Sequence, residues 1–75
     1  MSDTEEKVKR IIAEQLGCDP AYVIGGAYLV EELGVDALDR LEVFEALEAA
    51  FGVKIPDIEA ETIETVQDAI DYFSR

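Results

Sequence analysis

Asp36, Asp39, Glu42, Glu45 and Glu48 recur every three residues and are the densest set of side chains that could do chemistry. Carboxylates in pairs serve as general acids and bases, or as ligands for hard cations. Neither use finds support around them. The Asp-x-Asp-x-Asp-Gly loop of a calcium sensor is absent. A chain of 75 residues leaves little volume for an enzyme cleft. There is no histidine and a single cysteine, Cys18. That composition excludes a structural zinc site of the Cys/His type, an internal disulfide, and every catalytic scheme with histidine as base. Cys18 reads as a small half-buried thiol. The serines are Ser2 and Ser74, one near each end. The expectation is a protein that is not an enzyme, with no catalytic residue and no metal.

The acidic ridge needs a helix to carry it. Asp36 is a strong N-cap residue, and Asp39 three positions on meets the positive end of the helix dipole. The helix should run to about Phe51, where Gly52 closes it. On a helical wheel Val43, Phe44, Leu47, Ala50 and Phe51 share one arc and form the core face. Three residues fall ~60° short of a full turn, so the carboxylates wind around the helix as a slanted ridge. Leu38 points away from the core face, with Glu42 and Glu45 on either side and Leu41 nearby. A solvated acidic face accounts for the acids but not for these leucines. An apolar anchor rimmed by charges of one sign is a docking surface for a basic partner.

The remaining elements are helical too. The first helix spans Asp3 to Leu16, with Ser2 and Glu5 fitting a capping box and Val8, Ile11, Ile12 and Leu16 forming its apolar face. Lys7, Lys9 and Arg10 cluster on it, and Gly17 ends it. Cys18 to Val35 is a long connection. Asp19-Pro20 suits the start of a short helical turn, and Gly25-Gly26 interrupts any regular structure beyond it. Leu29, Val30 and Leu33 should pin one turn of this connection to the core. Ile55-Pro56-Asp57 starts a short third helix reaching about Glu61. Thr65-Val66-Gln67-Asp68 is a second capping-box start, and Val66, Ala69, Ile70 and Phe73 give the last helix its apolar face. No run alternates with period two. The fold class is therefore all-α: one domain over residues 1–75, a small antiparallel four-helix bundle of three main helices and one short one, with a long loop between the first two.

Charge decides the class of partner. Eighteen acidic residues against six basic ones give a net charge of −12, yet 49% of the residues are hydrophobic. A disordered acidic tail would lack that apolar fraction. The charge repels nucleic acid and anionic membranes and attracts basic surfaces. It also opposes compaction in a domain with little stability to spare, so added salt or magnesium should raise the melting temperature. A mimic of DNA fits the charge but leaves Leu38 and Leu41 unexplained, and no heptad pattern persists as a coiled coil would require. No apolar run approaches the ~20 residues of a membrane span, and the acidic N-terminus enters a helix pattern at once rather than a signal peptide. A cytoplasmic monomer is expected.

Leu33-Gly34-Val35-Asp36-Ala37-Leu38-Asp39 resembles the Asp-Ser-Leu attachment motif of acyl carrier proteins. The similarity extends to Glu5 through Gly17, which looks like that family's first helix. It extends also to Ile55-Pro56-Asp57 and to Thr65 through Tyr72, which look like its third and fourth. The resemblance implies a four-helix bundle able to shelter an acyl chain. It also implies a 4′-phosphopantetheine arm on the motif serine, whose thiol carries acyl chains as thioesters between enzymes of fatty acid or polyketide biosynthesis. The implied partners are basic-faced enzymes of acyl metabolism: phosphopantetheinyl transferase, ketosynthase, acyltransferase or reductases. Asp36, Ala37 and Leu38 mark the cofactor position, and Asp36, Leu38, Asp39, Leu41, Glu42 and Glu48 the docking face. Free N–H groups and the helix dipole favour a phosphate at that helix tip. Reversing the charge of Glu42 or Glu48 should slow association with such partners.

The chain departs from the motif where it matters most. Ala37 stands where the family has serine, and without a hydroxyl no phosphodiester forms. This chain carries no cofactor by the usual linkage; the arm belongs to the serine form. Two accounts fit. Either a serine was removed to give a homogeneous unmodified chain, or the gene encodes alanine and the protein has kept the docking surface without the cargo, as a partner-binding or regulatory module. Two smaller departures bear on partner choice. Arg40 places a positive charge in the ridge, with Asp36 at i−4 as its natural ion-pair partner, and Glu45 stands where many fatty-acid carriers have methionine.

Overall fold

The computed structural model describes residues 3–74. It holds α1 (Asp3–Leu16), a single 3-10 turn (Pro20–Tyr22), α2 (Ala37–Phe51), α3 (Asp57–Ala60) and α4 (Val66–Phe73). The described residues form a small all-α globule of four helices, as the periodicity implies. The proposed cap at Ser2 lies outside the described residues.

Each boundary has a local cause. The Asp36 side chain caps α2 by accepting from the Asp39 N–H at 2.8 Å. Gly52, at φ 65°, closes the same helix in a left-handed conformation that a side chain would disfavour. The capping box of α4 is complete: Thr65 accepts from the Asp68 N–H, and Asp68 accepts from the Thr65 N–H. Asp19 caps the 3-10 turn through the Ala21 N–H, with Pro20 at its first position.

Val8, Ile12 and Ala13 of α1 meet Val43, Phe44 and Leu47 of α2 and Val66, Ala69 and Ile70 of α4 in one apolar core. The connection between α1 and α2 joins it through Val23, Ala27, Leu29 and Val35. Backbone hydrogen bonds hold this loop against the approach to α4: Leu29 N–H to Glu64 carbonyl, Val66 N–H to Ala27 carbonyl, and Gln67 N–H to Gly25 carbonyl, all 2.8–3.0 Å. Tyr28 and Thr65 form an isolated antiparallel bridge there, with no strand among the described residues.

Four expectations need correction. Val30 does not pin the loop, because the backbone bonds of Leu29 turn Leu29 inward and leave Val30 54% exposed; Leu33 is half-buried. Ala50 is exposed rather than core, because at this end of α2 the packing on α4 passes to Phe51, which stacks on Phe73. Its neighbour is the Lys7 ammonium, which donates to the Ala50 carbonyl at 3.0 Å and lies over the half-buried Phe51 ring. Cys18 is exposed rather than half-buried, because Gly17 at φ 70° turns the chain out of α1 just before it. Arg40 does not pair with Asp36; it reaches across to α3 instead. The ring centroids of Phe51 and Phe73 lie 4.6 Å apart. Lys9 pairs with Glu5 at 2.9 Å, and that hydrogen bond holds the Glu5 carboxyl below its ordinary range.

Candidate functional site

The first turns of α2 gather most of the residues with a functional pattern in the sequence. Ala37 is the first residue of the helix, and its methyl is exposed. Leu38 beside it is 64% exposed and Leu41 one turn on is 56% exposed. The core side of the same helix is filled by Val43, Phe44 and Leu47, so the two leucines face water because the wheel leaves them no other direction. Asp36, Glu42 and Glu45 are exposed around them, and Asp39 is half-buried. An apolar pair inside a carboxylate rim is thus present in three dimensions, on a helix capped by a member of that rim.

Glu48 belongs to a different task. It is half-buried, and its carboxylate accepts from the Ile55 N–H at 2.6 Å, tying the end of α2 to the segment that leads into α3. Glu42, without such a bond among the described residues, is the cleaner reporter of docking.

α3 adds what the wheel of α2 does not show. Asp57 shares a recess of about 380 Å3 with Ala37, Arg40, Leu41, Phe44, Ala60 and Glu61, so α3 stands beside the first turns of α2. Ile58, the next residue, is 79% exposed. Its signal was in the sequence: an isoleucine between Asp57 and Glu59 repeats the pattern of Leu38 between Ala37 and Asp39, an apolar side chain next to acids at a helix start. Spacing along α2 pointed Arg40 to Asp36, whereas its acceptor sits on α3, twenty residues away.

Residues 6–73 match the family model described as a phosphopantetheine attachment site. The chain belongs to this family. In its normal form the family bears 4′-phosphopantetheine, and its carrier domains work with partner enzymes of acyl metabolism. Ala37, the first residue of α2, presents a methyl and no hydroxyl at the helix tip. Ser74 lies at the end of α4, where its hydroxyl donates to the Ile70 carbonyl at 2.6 Å. Among the described residues no group of three or more potential ligands is arranged to hold a metal ion. Among them, too, no helix is long and apolar enough to cross a membrane.

Proposed function

We propose that this chain is an acyl carrier domain in a form that cannot be loaded. Position 37 is the attachment position, and Asp36, Leu38, Asp39, Leu41 and Glu42 form the face that basic-surfaced enzymes grip, with Glu48 holding its far end in shape. In the serine form the domain would pass acyl chains between enzymes of fatty acid or polyketide biosynthesis. It has no catalysis of its own and works as a monomer in the cytoplasm.

The observation that carries this reading is Leu38. A leucine 64% exposed at a helix tip, beside an exposed Ala37 and inside a rim of acids, has no role in the core. Exposure of that kind fits a contact with another protein. A second reading shares the surface: a natural carrier-like protein that has lost its cargo and acts only by binding partners. The undisturbed cap, leucines and rim around Ala37 favour the first reading, a carrier from which a single hydroxyl was removed.

Charge reversal tests the docking face. Glu42→Lys should lower the association rate with a phosphopantetheinyl transferase or ketosynthase several-fold at low salt and flatten its salt dependence, measured by stopped flow. An unchanged rate and slope would exclude electrostatic docking at this ridge. Glu48 is unsuitable for that test because its reversal also removes the bond to Ile55.

A further inference from the structure

Arg40 keeps unusual company for a cation in so acidic a chain. It is half-buried, its guanidinium donates to the Ala60 carbonyl at the end of α3, and it lies 5.2 Å from the centroid of the Phe44 ring. Among the described residues no carboxylate stands within ion-pair distance of it. A guanidinium has five N–H donors and no acceptor, and the Ala60 carbonyl engages only part of that capacity. Two recesses meet at this side chain. One is the 380 Å3 recess between α2 and α3. The other, about 290 Å3, takes in Leu29, Val30 and Ile63 together with Glu31, Glu61 and Glu64, none of which reaches ion-pair distance of the guanidinium. Positions 37 and 40 are three apart on one helix and lie on neighbouring parts of its surface.

These neighbours discriminate between ligands. A plain hydrocarbon chain in the larger recess would gain apolar contact with Leu41, Phe44 and Ala60, but it would strip water from the guanidinium and return no acceptor. A chain with an oxygen along its length would return one. A carboxylate could serve, but Asp57 and Glu61 line the same recess and the whole chain carries −12. A neutral carbonyl escapes that repulsion.

We propose that Arg40 sets the specificity of this groove, favouring a short aliphatic chain that bears a neutral carbonyl oxygen over the plain chain of the same length. The inference rests on reading the groove beside position 37 as the place where a carried chain lies. It needs no covalent link, so it holds for the chain as it stands.

The test is a titration of the isotope-labelled 75-residue chain, followed by NMR, with the N-acetylcysteamine thioesters of β-oxohexanoate and of hexanoate. The β-oxo thioester should bind about tenfold tighter, the increment of one hydrogen bond to a charged donor. It should also shift the Arg40 Nε–H and Ala60 amide signals. Arg40→Gln should abolish the preference, with circular dichroism confirming retained helices. Arg40→Lys, a charged second variant, should reduce it. Equal affinities, tighter binding of hexanoate, or an unmoved Arg40 signal would overturn the assignment to Arg40 while leaving the groove intact. Failure of both thioesters to shift any residue of α2 or α3 would overturn the groove reading and the proposal with it.

Discussion

Asp36 serves the fold and the surface with one carboxylate. Its side chain accepts the Asp39 N–H and so holds the tip of α2 in place, while the residue remains exposed beside Ala37 and Leu38. The two roles separate by substitution. Asp36→Ala should cost about 1 kcal/mol of stability in a urea titration, the usual worth of an N-cap. Asp36→Asn keeps a capping oxygen, so stability should stay near that of the parent, while the loss of charge slows association with a basic partner. If Asn destabilised as much as Ala, the capping assignment would be wrong. The direction of Leu38 was legible in the sequence because a helix wheel fixes it once the cap is known. The acceptor of Arg40 was not, because Ala60 lies on another element, and local spacing carries no information about it.

The same division holds for the elements. α4 is eight residues long and depends on its ends, yet it places Val66, Ala69 and Ile70 in the core. Its capping box was readable because Thr65 and Asp68 act on each other across three residues. Thr65→Ala should therefore cost about 1 kcal/mol and lower the melting temperature by about 4–8 °C. A change within error would mean that tertiary packing alone fixes the start of α4. In the loop between α1 and α2 the turn at Asp19-Pro20 and the anchor at Leu29 were readable, but the path of the chain was not. Its course is set by bonds from Gly25, Ala27 and Leu29 to residues 64–67, some forty positions away, and those bonds decide that Leu29 enters the core while Val30 faces out. The reach of Lys7 to the end of α2 is long-range in the same sense and was equally hidden.

At the scale of the whole molecule the net charge of −12 governs both stability and encounter. Lys7 and Arg40 lie against aromatic rings and backbone carbonyls, and Lys9 against Glu5, so among the described residues these three cations are engaged within the molecule. Like-charge repulsion should therefore respond to screening: raising sodium chloride from low to physiological concentration should raise the melting temperature by several degrees. Magnesium should act in a graded way without a stoichiometric endpoint, since no ligand cluster among the described residues awaits it. A flat midpoint in calorimetry would show that the repulsion is not significant. The central claim is that this is a carrier domain complete except for one oxygen. Its most direct measurement is intact-protein mass spectrometry after incubation with coenzyme A, magnesium and a phosphopantetheinyl transferase of broad specificity. The parent chain should remain unmodified, and Ala37→Ser should gain the mass of one phosphopantetheine arm. A serine variant that stays unmodified, or a parent chain that gains the arm, would contradict the account.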